Sequence, residues 1–388
     1  MPTFQHVLGG SSYTLVGQDP QHAVATTIRT VLVPVSLSFE AKKTAGKPFL
    51  MDATLDVPRV LRSPVFSSFA FPTGGVTQYG DAMLRTTFPK AEEWHTLLGK
   101  PQVRAIKINI PVAYGYILTS KKTGRSFGVV DVEFLQQELF KQIPKQEDTL
   151  IVAVTHNITY YADGDATLCC SWGTHGVDSA TGNSFILASY LHSTPAIVED
   201  GDVQPITQQL GEFINDPLHD PLLHDRQVKD PGNTFPAWLR PASMHPGDQG
   251  SCGGIGVASA YFLLEPTNTN PKNNFPASKG FVADVRGTKY HLQNVALLPW
   301  YVRASEGLGR IYSFPDAQAL TRSSKPCPPR EPRLSSGGGA STPPEPTVAA
   351  VPMHGSPNGH KLIGYWAGYG AAGSTFPLRE VSPQWDII

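Results

Sequence analysis

The chain has 388 residues, of which 40% are hydrophobic and 16% charged, and its formal net charge is −1. This composition is typical of a globular protein with a real core. Because the net charge is near zero, electrostatic attraction does not favour nucleic acid or an anionic membrane as a partner. Glycine (36) and proline (35) are frequent, which indicates many turns and loops.

The first half of the chain predicts strands interrupted by short helices. Residues 26–40 alternate apolar and polar side chains and predict a strand. Residues 56–69 and 80–88 predict short helices, 103–119 a strand pair or one bent strand, and 127–130 a short strand. Residues 131–143 predict a helix that begins at the capping residue Asp131.

Residues 149–161 form the strongest predicted strand, and its continuous apolar first half is typical of a central strand. A loop that carries Cys169, Cys170 and His175 is expected after it, followed by a strand at 184–191. Residues 218–256 are too rich in Pro, His, Asp and Gly for regular elements. Residues 258–265 and 290–301 are the last ordered stretches expected in this region.

Residues 200–217 predict one amphipathic helix, with Asp202 as its N-cap and Asn-Asp-Pro as its stop. Its apolar side chains recur at helical spacing and predict one buried face: Ile206, Leu210, Phe213 and Ile214. Gln208 and Glu212 are four residues apart and therefore project from the same side. With Gln209, this is the spacing of a His-Glu-x-x-His or His-Glu-x-x-Glu helix, in which the outer positions hold zinc and the second is the general base.

Roughly the first 320 residues resemble a secreted bacterial zinc-metallopeptidase-like domain. The matching stretches are YTLVGQD at 13–19, TQYGDAMLR at 77–85, Cys169-Cys170 with GTH at 173–175, the helix at 200–217, and YHLQ at 290–293. That helix typically reads Ser-His-Glu-x-x-Glu followed by Asp-Pro. The resemblance places the His on Gln208, the base on Gln209, the second Glu on Glu212 and a later acidic position on Glu265.

The two glutamines decide what chemistry the resemblance implies. A carboxamide binds zinc weakly compared with imidazole, and it cannot take a proton from metal-bound water. The chain therefore looks like a catalytically inactive relative. A rebuilt zinc site is the alternative, for which Glu212, Glu265 and His175 are the metal-ligand candidates and His156, His219 and His224 further donors.

The C-terminal part differs in composition. Residues 323–359 are dominated by Pro, Ser, Gly, Thr and Ala and predict a disordered linker. Residues 360–388, with KLIGYW at 361–366, resemble the opening of the (β/α)8 barrel of family 18 glycoside hydrolases, the chitinases. That family's Asp-x-x-Asp-x-Asp-x-Glu signature does not occur in the chain, so this stretch predicts a truncated start of a barrel that cannot itself hydrolyse a glycosidic bond.

The chain has four cysteines and no Cys-x-x-Cys spacing. Two interpretations remain open: a disulfide from Cys169 or Cys170 to Cys252, or buried free thiols. A Cys-His nucleophile that uses Cys169 or Cys170 with His175 or His156 is a further, less specific hypothesis.

These observations predict an α+β, loop-rich domain at 1–322 with a mixed sheet and a few helices, the linker at 323–359 and the barrel fragment at 360–388. By resemblance the chain is an extracellular accessory module of a chitinase-like protein, with chitin or another polysaccharide as partner, although its N-terminus has no pattern of a signal peptide. The alternatives are an active zinc metallohydrolase with a displaced ligand set and a structural cell-surface module. The accessory-module interpretation implies no cofactor, and zinc belongs only to the metallohydrolase alternative.

Overall fold

The computed structural model describes residues 1–8, 11–22, 25–89, 91, 93–119, 124–162, 164–192, 201–215, 217, 281–297, 311 and 313–317. Its strands, numbered in chain order, are β1 (Thr3–Leu8), β2 (Ser11–Val16), β3 (Ala25–Thr44), β4 (Lys47–Met51), β5 (Phe69–Ala70), β6 (Val76–Thr77), β7 (His95–Leu98), β8 (Gln102–Val103), β9 (Ile106–Ile110), β10 (Gly115–Thr119), β11 (Ser126–Asp131), β12 (Thr149–His156), β13 (Ile158–Ala162), β14 (Asp165–Ser171), β15 (Gly173–Val177), β16 (Ser184–Tyr190), β17 (Phe281–Val285), β18 (Thr288–Leu292), β19 (Val295–Ala296) and β20 (Ser313–Phe314). The helices are α1 (Val57–Arg62), α2 (Tyr79–Thr87), α3 (Val132–Gln142) and α4 (Gln204–Asn215), and a 3-10 turn spans Ala53–Asp56.

The long strand β3 organises the largest sheet. It pairs in parallel with β12, β7, β8 and β9 and in antiparallel with β4. On the far side of β12 the sheet continues through β16, which is parallel, to β15, which is antiparallel. The predicted strand at 26–40 is therefore confirmed and extends to Thr44.

The large sheet lies between two hydrophobic layers. Leu150, Val152 and Val154 of β12 face a layer that contains α2 and α4, whereas Ile151 and Ala153 face a layer that contains α3 and residues of a second sheet. This alternation follows from the two-residue period of a strand. The second sheet has the order β10-β11-β13-β14. The architecture is thus mixed α/β and rich in strands, as the coarse α+β prediction states.

Three predicted elements differ from the structure. The strand expected at 149–161 is two strands in different sheets, because Asn157 adopts a left-handed conformation (φ 49°) and breaks the extended chain. The loop expected to carry Cys169, Cys170 and His175 forms strands β14 and β15. The two strands within 103–119, β9 and β10, also join different sheets.

The helices follow the predictions more closely. Helix α3 begins after Asp131, whose carboxylate accepts a hydrogen bond from the Phe134 N–H (2.8 Å) as an N-cap. Helix α4 buries Ile206, Leu210, Phe213 and Ile214 as predicted, but its polar face is buried too. The helix begins at Gln204, two residues after Asp202, and the Asp202 carboxylate accepts from the backbone N–H groups of Val203 and His291 and faces His291 Nδ1.

Several predictions lie outside the described residues: the linker, the barrel fragment, Glu265, Cys252, His219 and His224. The domain boundaries and the disulfide therefore stay predictions. Among the described helices, none combines the length and the apolar character that a membrane crossing requires.

Candidate functional site

Helix α4 brings together the polar side chains that the sequence singled out. His175 of β15 lies opposite this helix, with its Nδ1 2.9 Å from Gln209 Oε1 and 3.3 Å from Glu212 Oε2. The Gln208 amide donates to the other Glu212 oxygen, Oε1, at 3.3 Å. We call His175, Gln208, Gln209 and Glu212 the α4 cluster.

The α4 cluster is part of the core rather than of an open cleft. All four of its residues are buried, and the Phe213 ring stands edge-on to the His175 ring at 6.5 Å. Strand β15 can approach this closely because residue 173 is a glycine: a Cβ there would lie 2.6 Å from Gln209 Cγ. The His175 Nδ1 faces both Gln209 Oε1 and Glu212 Oε2, and the Gln208 amide donates to the other carboxylate oxygen, so the polar groups of the cluster satisfy one another inside the core.

Two of the three predicted metal ligands, His175 and Glu212, are therefore neighbours in space. Glu265 lies outside the described residues, so the predicted ligand set stays a prediction. The Gln209 amide oxygen and Glu212 both face His175 Nδ1, so this ring nitrogen is engaged by protein groups.

A second cluster, consisting of Asp56, His156 and His192, has the chemistry of a metal site. The Nδ1 of His156 lies 2.7 Å from Asp56 Oδ2, and the Nε2 of His192 lies 3.0 Å from Asp56 Oδ1. One ligand atom from each of the three residues falls within 4.8 Å of the others. The two imidazole rings are 5.1 Å apart and inclined by 50°. We call these three residues the Asp56 cluster.

The two histidines reach the cluster because their strands run side by side. Strands β12 and β16 are parallel, and His156 is in register with Tyr190, so both histidines lie at the carboxyl edge of the sheet. Asn157 ties the two strand ends together: its backbone N–H donates to the Tyr190 carbonyl (2.9 Å), and its Oδ1 accepts from the His192 backbone N–H (2.8 Å).

Asp56 arrives from a third segment, the 3-10 turn before α1. Asp52 caps this turn: its carboxylate accepts from the backbone N–H (3.0 Å) and hydroxyl (2.7 Å) of Thr54 and from Ser36 of β3 (2.7 Å). The hydrogen bond from the Thr54 hydroxyl holds the pKa of Asp52 below its ordinary value. Although Asp56 stands at the N-cap position of α1, its side chain makes no capping bond and is directed at the two imidazoles.

The donor set of the Asp56 cluster fits a transition-metal ion. Two imidazole nitrogens and one carboxylate oxygen are ligands that zinc prefers. Ligand atoms of a tetrahedral zinc site lie about 3.4 Å apart, as follows from metal–ligand distances of about 2.0–2.2 Å. The present contacts of 2.7 and 3.0 Å need to widen by less than about 1 Å to admit the ion. His192 keeps 48% of its side chain exposed, so the cluster is open to solvent on that side.

Another buried aspartate shows what a purely structural His–Asp pair looks like in this fold. Asp81 accepts from His95 Nδ1 (2.7 Å), from the Thr77 hydroxyl (2.7 Å) and from the Thr96 backbone N–H (2.6 Å). The carboxylate of Asp56 is equally buried, but its partners among the described residues are the two imidazoles alone. Backbone and hydroxyl donors therefore neutralise Asp81 locally, whereas Asp56 depends on side chains that bind metals.

A group of ionisable side chains borders the Asp56 cluster. The Tyr190 ring packs 5.1 Å from the His192 ring. Burial raises the pKa of the Tyr190 phenol above its ordinary value, and the carboxylate of Asp202 raises it further. Asp202 accepts from His291 Nδ1 at 2.9 Å. The guanidinium of Arg59 lies over the Tyr290 ring at 6.0 Å.

The sequence analysis names His156 as a donor but pairs it with Glu212 and Glu265, and it misses Asp56 and His192. The pattern that could have revealed the cluster is a histidine at or just after the end of each of two apolar strands, since the carboxyl ends of parallel strands meet at one sheet edge. Nothing local distinguishes Asp56 from a helix cap.

Comparison with protein-family models, with curated proteins and with solved structures gives no match for this chain. The resemblances to a zinc-metallopeptidase-like domain and to a family 18 glycoside hydrolase therefore stay predictions. What the chain could bind has to be argued from the geometry of its own residues.

Proposed function

We propose that this chain is a zinc-dependent hydrolase whose metal ligands are Asp56, His156 and His192. The observation that carries the proposal is the convergence of three ligand atoms, from three separate segments, to within 4.8 Å. It corresponds to the displaced-ligand alternative of the sequence analysis, with a ligand set different from the one expected on α4.

Three protein ligands favour a reactive metal over a structural one. Structural zinc sites usually have four protein ligands, whereas catalytic sites have three and keep one position for water or substrate. Zinc bound in this way acts as a Lewis acid and activates water for hydrolysis at neutral pH. The residues around it have separate roles: Asn157 fixes the spacing of the two histidine strands, and the Asp52-capped turn fixes Asp56.

Metal binding is tested by titrating the metal-free full chain with zinc against a chromophoric chelator. We expect one high-affinity equivalent, and we expect Asp56→Asn and His156→Ala each to weaken binding at least about 100-fold, which corresponds to about 2.7 kcal/mol. His95→Gln is the matched control, because it removes a histidine from a buried His–Asp pair outside the cluster. Equal zinc affinity in the wild type and Asp56→Asn would overturn the assignment.

Hydrolysis is tested with the zinc-loaded chain on peptide, carboxylic-ester and phosphate-ester substrates. The expected result is turnover of one class that disappears with a chelator, returns with zinc and is absent from His156→Ala. Tight zinc binding without turnover of any of the three classes would instead identify a metal-binding domain that lacks catalysis.

We propose the accessory role in a chitinase-like protein only as a second candidate, favoured by the KLIGYW stretch at 361–366 and the linker before it. Its test is co-sedimentation of the full chain with insoluble chitin. Retention of the chain in the supernatant, under conditions in which a known chitin-binding domain sediments, would exclude this role.

A further inference from the structure

Arg59 stands out among the charged residues beside the Asp56 cluster. It lies three positions after Asp56, one helical turn along the start of α1, so the two side chains leave the same face. It makes no hydrogen bond and no ion pair with any described residue, and its Nε is buried without a partner. Its one described contact is with the ring of Tyr290.

At 6.0 Å this is a cation–π contact at the outer range, and such a contact engages the positive charge rather than the N–H groups. The N–H groups of Arg59 can therefore make bidentate hydrogen bonds to a carboxylate or phosphate. Tyr290 is fully buried, and its hydroxyl likewise lacks a hydrogen-bond partner among the described residues. Buried donors are normally paired, since leaving one unpaired is costly. Arg59 and Tyr290, two residues in contact, thus each have a buried donor without a hydrogen-bond partner, which indicates that another group binds here.

The local charges make anion binding depend on the metal. Asp56 and Asp202 contribute two carboxylates near the Tyr190 hydroxyl, and Arg59 contributes one positive charge. The carboxylates disfavour an anion in the metal-free protein. A divalent cation on the Asp56 cluster makes the local net charge positive. An oxyanion can then contact both the cation and the guanidinium.

We propose that Arg59 binds an oxyanion group, a carboxylate or a phosphate, of the substrate that the metal centre hydrolyses. The inference rests on the proposed zinc site and names its substrate class: molecules that carry such a group next to the scissile bond. A carboxylate and a phosphate can each accept two parallel hydrogen bonds from the guanidinium. The binding test below shows which of the two the site prefers.

The test measures binding of inorganic phosphate and of acetate to the zinc-loaded full chain by calorimetry, with the zinc-free chain in parallel. We expect one of the two anions to bind only in the presence of zinc. Arg59→Gln is expected to weaken that binding at least about tenfold, and Arg59→Lys, which keeps the charge but loses the fork, to weaken it less. Arg62→Gln is the matched control, because Arg62 is an exposed arginine on the same helix.

Zinc affinity of each variant separates the outcomes. Normal zinc binding together with anion binding that is unchanged in Arg59→Gln would overturn this inference and leave the zinc site intact. Absence of zinc binding, with anion binding that still requires Arg59, would overturn the proposed hydrolase and leave the anion site. Preference for phosphate or for acetate assigns the substrate to phosphate esters or to carboxylate-bearing compounds.

Discussion

The α4 cluster and the Asp56 cluster are built from similar groups and differ in what fills them. In the α4 cluster, His175 faces both Glu212 and the Gln209 carboxamide, the Gln208 carboxamide donates to Glu212, and the whole group is buried. In the Asp56 cluster, two imidazoles face one buried carboxylate directly, and His192 is half exposed. The first is a satisfied piece of core, whereas the second has metal-binding donors and access from solvent.

Helical spacing therefore predicts which side chains converge, but not whether they bind a metal or form hydrogen bonds in the core. Residues four apart on α4 meet, as predicted, and they meet as an amide–carboxylate hydrogen bond. The donors with the better metal chemistry come from strands and turns that are distant in sequence. Four sets of substitutions test this contrast.

The largest effect is expected from converting the α4 cluster into a metal site. In the variant Gln208→His with Gln209→Glu, the introduced imidazole takes the place of the Gln208 amide beside Glu212 Oε1. His175 already lies beside the other oxygen of that carboxylate, Oε2. We expect zinc content to rise by about one ion per chain, measured by elemental analysis, because the carboxylate then lies between two imidazoles. Gln209→Glu alone is the control. An unchanged zinc content in the double variant would mean that this site also requires Glu265, the remaining ligand of the predicted set.

The second effect concerns stability. Glu212→Ala removes one polar partner of His175 and one of the Gln208 amide inside the core. We therefore expect the free energy of unfolding to fall by about 1–3 kcal/mol. His192→Ala removes one of the two partners of the buried Asp56 carboxylate, but water can take the place of this half-exposed ring, so we expect a smaller loss of about 0.5 kcal/mol. Urea unfolding of the metal-free proteins measures both. Equal losses would contradict the distinction between a core cluster and an open one.

A smaller effect is expected where β15 approaches α4. Gly173→Ala places a Cβ 2.6 Å from Gln209 Cγ and 3.1 Å from the Leu187 carbonyl oxygen. Overpacking of this kind typically costs about 1–3 kcal/mol, and the adaptable Gln209 side chain puts this case at about 1 kcal/mol. Thermal unfolding measures the loss, and zinc binding to the Asp56 cluster is expected to be unchanged. A variant as stable as the wild type would show that Gln209 moves aside freely.

The smallest effect is expected at Asp52, which caps the turn that delivers Asp56. Asp52→Ala should lower stability at neutral pH by about 0.5 kcal/mol, the low end of the contribution of an N-cap. Because the folded pKa of Asp52 is depressed, its contribution is present above the unfolded value near 3.9 and is lost as the pH falls through the folded pKa.

The difference in stability between the wild type and Asp52→Ala should therefore shrink when unfolding is measured in acid instead of at pH 7. Thr54→Ala is a useful comparison, since it removes the hydroxyl that lowers the pKa and keeps the carboxylate. A difference between wild type and Asp52→Ala that persists unchanged in acid would contradict the assigned role of the charge.

Much of the local structure could be predicted. The apolar periodicity of the sequence predicted β3, β12, β16, α3 and α4. A strand or helix that packs on one side needs apolar residues at the period of its own geometry. The break at Asn157 could not be predicted in this way, since the residues on both sides of it continue the apolar pattern. Its left-handed conformation follows from contacts with Tyr190 and His192, which are remote in sequence.

The central strands, the helices, the capping of α3 by Asp131 and the convergence of Gln208 with Glu212 could be predicted from the amino-acid sequence alone. The meeting of His175 with α4, and of Asp56 with His156 and His192, depends on the folded chain. The physical reason is that a helix relates neighbours through its own geometry, whereas the sheet edge joins residues through hydrogen bonds between strands. The register of β12 with β16, which places the two histidines against one buried aspartate, is a property of the folded sheet.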